Sequence, residues 1–332
     1  MASNSKNVNL ETIVCPLCGG NRAASFLQVD EPLASEIATV WHLRRCEECD
    51  LIYLNPRPTE VASSAYYKKL EYLPFSSTIG NQTALTRLYG GLRRYNLKWK
   101  RRRITSVHQK GRLFDVGCGT GEFLSEMRNA GWEVAGIERD NKASKFARHK
   151  LRLEVIFGRA EAIKEIHGKF DIITLWHVLE HLYQPKAALI SLAQQLANDG
   201  MIVVAVPNIA SSDFKFYRAN WVALDAPRHV QHFTVKTLQA LAATAGLDLV
   251  RWHQLPLDAF FNTLMSEVRR SKQEGMSKLW GLLWPLRALR SLLVAACSLL
   301  GGSRFFFSGT RGATIVAFLR KSSGDPKSRA SS

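Results

Sequence analysis

Several things are missing from this chain, and each absence narrows its function. The opening residues MASNSKNVNLETIV hold no basic segment followed by an apolar core, so no secretory leader is expected. No apolar run reaches the length of a membrane span. The nearest, SLLVAACSLLGGS at 291–303, stays uncharged for only 13 residues. Cysteine occurs six times, at 15, 18, 46, 49, 118 and 297, and without an export signal metal binding is favoured over disulfides. No internal repeat is found. With 46% hydrophobic residues in 332, the chain can bury a sizeable core, which excludes global disorder.

Acids are absent from 87–112, which carry 10 Lys/Arg, and nearly absent from 262–332, with 12 Lys/Arg against 3 acids. The net charge of +17 is therefore local. Local basic surfaces suit anionic partners: nucleic acid, phospholipid or a phosphorylated substrate. The plain alternative is a pair of solvated basic faces.

What is present begins with two CxxC pairs, in IVCPLCGGNR and LRRCEECDLIYLNP. Each pair can sit on a tight knuckle turn. Together Cys15, Cys18, Cys46 and Cys49 fit a closed, tetrahedral and therefore structural zinc site. A redox role fits less well, because neither pair opens a helix after a strand.

From 112 onward the pattern alternates between short apolar runs and longer helical stretches. Strands are expected at about 112–116, 133–138, 154–158, 170–175, 200–206 and 247–253, with a last one at 312–319. Helices are expected near 121–130, 141–150, 185–198 and 234–245. This alternation predicts an α/β, Rossmann-like, doubly wound and mainly parallel sheet. A small zinc ribbon precedes it, and a long apolar helical insertion comes before the last strand. The expected boundaries are a zinc-ribbon-like module at 1–58, a basic helical connector at 59–111, the core at 112–257, the insertion at 258–307, the last strand at 308–320 and a disordered tail at 321–332.

The densest signal is RLFDVGCGTGEF at 112–123, with Gly117, Gly119 and Gly121 at alternate positions after Asp115. It falls at the first strand–helix turn, where doubly wound sheets bind ligands. Glycine permits positive φ and removes the β-carbon that would hold a ligand off the backbone. Glu138 ends the next expected strand, where an acid can accept hydrogen bonds from two ribose hydroxyls. The spacing is G-x-G-x-G, not the G-x-G-x-x-G of nicotinamide enzymes. Asp115 would be awkward beside a pyrophosphate and suits a ligand carrying positive charge.

DVGCGTGEF resembles the first motif of class I S-adenosylmethionine-dependent methyltransferases. GIE at 136–138, FDIITLWHVLEHL at 170–182 and MIVVAVPN at 201–208 resemble the second, fourth-strand and fifth-strand motifs. CPLCGG…CEECDLIYLNPRP, AYYKKLEYL and LDAPRHVQHFTVKTL together resemble a bacterial subgroup with a zinc-binding front end, often tied to surface-glycan or secondary-metabolite synthesis. Arg139 departs from the small or acidic residue more usual after Glu138.

The resemblance implies S-adenosyl-L-methionine as cofactor. It implies that Asp115, Gly117, Cys118, Gly119 and Gly121 hold the methionine moiety and Glu138 the ribose. Ala160 and Glu161 would lie near the adenine, with Trp176 and His177 facing the sulfonium and acceptor. In-line methyl transfer needs alignment above all, and a hydroxyl acceptor also needs a base. Histidine is the natural one near neutral pH. His229 is the first candidate, then His232 and His177, with Asn208, Asp225 and Arg228 as acceptor-binding candidates.

The insertion reads MSKLWGLLWPLRALRSLLVAACSLLGGSRFFF. If helical from about 286 to 300, Arg287, Arg290, Ser291 and Ser298 share a narrow face and nearly everything else is apolar. Residues 276–303 then suit an in-plane anchor on an anionic membrane, and a lid or dimer contact is the alternative. The expected protein is a cytoplasmic methyltransferase, in peripheral contact with the inner membrane face, that O-methylates a sugar, a lipid- or nucleotide-linked glycan or a secondary-metabolite precursor. The alternatives are a ribosomal RNA base methyltransferase with a zinc ribbon, suggested by aromatics among the arginines of 87–103, and a non-catalytic binding module. Neither acceptor atom nor oligomeric state is legible.

Overall fold

The computed structural model describes residues 9–30, 40–68, 84–160, 162, 168–273, 280–301 and 311–322. Glu161 and the expected tail beyond 322 lie outside the described residues. The chain begins with β1 (Leu10–Glu11), β2 (Ala23–Asp30), β3 (Val40–Cys46), β4 (Ile52–Leu54) and β5 (Arg57–Pro58), then α1 (Glu60–Ser63) and α2 (Ala65–Lys68). Next come α3 (Ala84–Thr105), β6 (Arg112–Val116), α4 (Glu122–Asn129), β7 (Glu133–Glu138), α5 (Asn141–His149), β8 (Glu154–Phe157), β9 (Phe170–Trp176), α6 (Pro185–Gln195) and β10 (Leu196–Pro207). The remainder holds α7 (Ser212–Tyr217), β11 (Gln231–His232), α8 (Val235–Thr244), β12 (Leu247–Gln254), α9 (Asp258–Gln273), α10 (Trp280–Gly301) and β13 (Thr314–Lys321).

These elements group into two compact units. One comprises Met1–Glu71, Asn208–Thr237 and Ala259–Ala313; the other comprises Tyr72–Pro207, Leu238–Asp258 and Thr314–Ser332.

The second unit carries a seven-stranded sheet in the order β12-β13-β10-β9-β6-β7-β8. Strands β10, β9, β6, β7 and β8 run parallel, and β13 is antiparallel to both its neighbours. The central strands are apolar on both faces, as a sheet covered by helices requires: Leu113, Phe114, Ile172, Ile173, Leu175, Val203 and Val204 are all buried. The first strand, β6, lies between β7 and β9, so the order reverses beside it. That reversal is the topological switch point where such sheets open a crevice for ligands.

Two expectations shift. The helix expected to reach 198 stops at Gln195, because the backbone of Leu196 already pairs with Phe170 in β9. The basic stretch before 112 is also part of the core. Helix α3 places Trp99 and Ile104 in the main hydrophobic cluster, and Arg93 and Arg101 pair with Glu122 and Glu126 of α4 at 2.5 and 3.2 Å. Its apolar stripe, more than its charge, fixes its position.

The first unit carries a four-stranded antiparallel sheet in the order β11-β4-β3-β2. Three strands come from the cysteine module. The fourth, β11, arrives from 180 residues downstream, with Gln231 opposite Tyr53 and His232 opposite Ile52. The same unit holds a buried polar network. Asp213 accepts from Trp221 Nε1 at 2.7 Å and Ser298 Oγ at 2.8 Å, and Glu267 accepts from Tyr217 Oη at 3.1 Å. Among the described residues, no helix is long and apolar enough to cross a membrane.

Candidate functional site

Beyond β6 the chain bends through Gly117, Gly119 and Gly121, with φ of 69°, 55° and 79°. All three lie in the left-handed region that side chains disfavour. The bend is tied to the next strand: Gly117 and Cys118 both donate their N–H to the carbonyl of Ile137, at 2.8 and 3.1 Å. The glycines differ in purpose. A β-carbon on Gly117 would sit 2.6 Å from Val178 Cγ2, and one on Gly121 would sit 2.5 Å from Leu153 Cδ1. Those two positions therefore admit neighbouring side chains as well as the turn.

Asp115 and Glu138 meet at this bend. Glu138 Oε2 accepts the N–H of Gly119 at 2.7 Å, and Oε1 accepts the N–H of Asp140 at 2.7 Å. Burial pushes the Glu138 carboxyl upward, against the lowering effect of those two donors. Asp115 is 3% exposed, and Thr174 Oγ1 of β9 donates to its Oδ1 at 2.5 Å. Burial raises its pKa to about 7; the Thr174 bond and the Lys100 charge work the other way, and the Glu138 charge adds to the rise. Two buried acids with few cations nearby form a site that a positively charged ligand would stabilise. Cys118 is also buried, and burial pushes its thiol well up, so it sits there as a neutral side chain.

At the end of β9, Trp176 packs edge-on against Phe123 with ring centroids 5.3 Å apart. Its buried indole Nε1 has no hydrogen-bond partner among the described residues. Lys100 of α3 turns inward and places its ammonium 4.2 Å from the Trp176 ring centre, and burial lowers its pKa. His177 follows with φ 57°. Its Nδ1 faces Glu180 at 3.3 Å and its Nε2 faces Asp258 at 3.2 Å. Burial alone would lower its pKa, but the hydrogen bonds to Asp258 and Glu180 outweigh it and raise the value to about 9. A histidine held between two carboxylates in this way favours its charged form, which suits it less to accept a proton than to hold one. Ala160 is buried after β8. Lys100, Thr174 and Asp258 were not legible as site residues, since each lies inside a stretch whose evident job is charge, strand or helix start.

In the first unit, Cys15, Cys18, Cys46 and Cys49 come together, with all four sulfurs within 4.8 Å of one another. Two of the edges, Cys15–Cys49 and Cys18–Cys46, measure 3.5 Å. A tetrahedral zinc thiolate requires edges of about 3.8 Å, so the set fits. Both knuckles close alike. Gly19 donates to the Cys15 carbonyl at 2.9 Å with φ 80°, and Asp50 donates to the Cys46 carbonyl at 3.1 Å with φ 65°. The amide of Gly20 points at Cys18 Sγ at 3.4 Å.

The block from 208 to 232 belongs to this unit too. Both ends of the Asn208 amide are used by its own chain: Nδ2 donates to the Gly312 carbonyl at 2.7 Å, and Oδ1 accepts from Ala210 N at 3.1 Å. Asp225 and Arg228 pair through Arg228 Nε at 3.1 Å and through a second guanidinium nitrogen. His229 is buried; its Nδ1 lies 2.9 Å from the Ala223 carbonyl, while Nε2 lies 3.7 Å from Asp225 Oδ2. A carbonyl can only accept, so Nδ1 carries a proton. The rings of His229 and His232 are 6.3 Å apart.

Residues 89–251 match the family described as "Methyltransferase domain". The chain is 32% identical over 164 residues to the ubiquinone biosynthesis O-methyltransferase of Bordetella avium, covering 46% of this chain and 68% of that protein. It is 30% identical to the mitochondrial ubiquinone biosynthesis O-methyltransferase of Schizosaccharomyces pombe, over 28% of this chain and 37% of the relative. The chain thus spans between about a third and two thirds of these relatives' lengths. Among solved structures, it is similar to an S-adenosylmethionine-dependent methyltransferase from Archaeoglobus fulgidus at 19% identity and TM-score 0.43, covering 69% of this chain and 94% of that one. A TehB-like S-adenosylmethionine-dependent methyltransferase from Corynebacterium glutamicum gives 15% identity and TM-score 0.42, covering 79% and 98%. The cysteine module at 15–49 lies outside the matched family segment.

Proposed function

Because the chain belongs to the class I S-adenosylmethionine-dependent methyltransferases, we propose that it moves a methyl group onto a hydroxyl oxygen of a small acceptor attached to a lipid or a glycan. The observation that carries the cofactor half is the pairing of buried Asp115 and Glu138 across the glycine bend. Asp115 would face the ammonium of the methionine moiety, and Glu138 has lone pairs left for ribose hydroxyls. When bound, the cofactor supplies a sulfonium methyl whose departure leaves a neutral thioether.

Oxygen as the acceptor atom is supported by the two relatives, both named O-methyltransferases. Their role in ubiquinone biosynthesis favours a lipid-linked acceptor; a sugar hydroxyl rests on the subgroup resemblance alone. An RNA acceptor is disfavoured because Lys100 of the basic helix turns inward and Arg93 and Arg101 are paired with Glu122 and Glu126.

His229 is the base in this reading: the Ala223 carbonyl holds the proton of Nδ1, Nε2 would take the acceptor's proton, and Asp225 would stabilise the imidazolium. His232 is second. His177 holds its proton and serves to fix the loop after β9 through Glu180 and Asp258. The four cysteines hold zinc as a structural ion, which stiffens the sheet on which β11 and its histidine stand.

The test is methyl transfer from radiolabelled cofactor into cell extract separated into lipid, glycan, RNA and small-molecule pools. Base-stable label in the lipid or glycan pool, lost with His229→Ala, supports the reading. Label only in RNA contradicts it.

A further inference from the structure

Helix α10 is built the wrong way round for a helix of a water-soluble surface. Its polar residues face inward: Arg287, Ser291 and Ser298 are buried, and Arg287 and Arg290 both pair with the fully buried Glu267 of α9. Ser298 donates to buried Asp213 at 2.8 Å. Its leucines face outward: Leu286, Leu289, Leu293 and Leu300 are 68%, 55%, 60% and 53% exposed. At 3.6 residues per turn these four fall within about 60° of arc, opposite the buried serines, over about 21 Å of helix. An exposed apolar stripe of this length marks an interaction surface.

The charge of the segment and of the described residues beside the stripe says what covers it. Residues 259–313 carry eight Lys/Arg and two acids, Glu267 and Glu274. Buried Glu267 and the two arginines that hold it form an internal cluster, which leaves six Lys/Arg against one acid in the rest of the segment. On α7, packed against α10, Phe216 is 43% exposed between exposed Lys215 and neighbouring Arg218, with the Arg290 guanidinium 5.9 Å from its ring centre. Apolar side chains rimmed by cations complement an anionic bilayer, where leucines enter the acyl boundary and basic residues meet headgroups. A second copy fits less well. The stripe spans about two heptads, below the three or four a coiled coil needs, and pairing would bring two sets of positive charge together.

We infer that α10 is an in-plane docking helix for anionic phospholipid membranes, held leucine-side outward by the Glu267 and Asp213 network. The inference does not depend on the acceptor or on catalysis, because its readout is binding.

The experiment is co-sedimentation of the full chain with phosphatidylglycerol-containing vesicles and with pure phosphatidylcholine vesicles, alongside solution mass by light scattering. Wild type should bind the anionic vesicles, release them in high salt and ignore the neutral ones. Leu289→Gln/Leu293→Gln should lower the bound fraction at least about tenfold, with unchanged circular dichroism. Leu286→Gln/Leu300→Gln, at other turns of the same stripe, should do the same and guards against misfolding of the first variant. Equal binding to both vesicle types overturns the proposal, as does unchanged binding in both folded variants. So does a dimer that these substitutions dissociate while wild type ignores vesicles.

Discussion

Glu138 joins the turns that follow two successive strands: one oxygen takes the amide of Gly119, nineteen residues earlier, and the other takes that of Asp140. The residue assigned to the ribose is therefore also the clasp of the glycine bend. Glu138→Ala should cost about 1–3 kcal/mol of stability, because two amides lose a charged partner. Thermal unfolding checks this. Glu138→Gln, which keeps one oxygen, should lose less.

Asp115 sets a pH dependence. Its carboxyl is raised in the folded chain from 3.8 to about 7. A group raised on folding stabilises the fold fully below its ordinary value and loses that contribution as pH climbs through 4 to about 7. An ammonium beside it favours the carboxylate and reverses the rise. Cofactor binding should thus release a proton below about pH 7, and affinity should rise with pH up to about 7 and level off above it. Titration calorimetry in buffers of different ionisation heat measures the proton count. Asp115→Asn should bind more weakly, with this pH slope abolished.

If His229 takes the acceptor proton, His229→Ala should lower kcat by about 10²–10⁴ and leave cofactor affinity unchanged. His177→Ala should act differently. It removes a cation between Glu180 and Asp258, so lowered stability and a changed cofactor affinity should come first. Steady-state kinetics beside direct binding separates the two.

The cysteine module should contain one zinc per chain. Stripping it with a chelator, or Cys46→Ser, should lower the unfolding temperature and release β11 from β4, because the knuckles hold the sheet that β11 completes. Metal analysis and amide exchange at Val230–His232 read this out. Unaltered exchange after metal removal would show that the sheet stands without the ion.

The α/β alternation was legible because most strands from 112 to 206 are short apolar runs followed by a helical period. The parallel order and the glycine bend followed from the same pattern. Helix α3 was harder to read: its eight cations hid Trp99 and Ile104, whose burial governs where it packs. The pairing of β11 with β4 was invisible, since Gln231 and His232 form a two-residue strand with no periodicity of their own. His177 looked like a base because its two carboxylate partners, Glu180 and Asp258, are brought to it partly from 81 residues away. In α10 the shared face of arginines and serines was legible, but not which face turns inward.

The most direct single measurement is calorimetric titration of the purified chain with S-adenosylhomocysteine, with NAD as control. Wild type should bind the sulfur nucleoside at one site and show no heat with NAD, and folded Asp115→Asn and Glu138→Ala should each weaken binding at least about tenfold. A folded wild type that gives no heat, or variants that bind as tightly as wild type, would contradict the placement of the cofactor between Asp115 and Glu138.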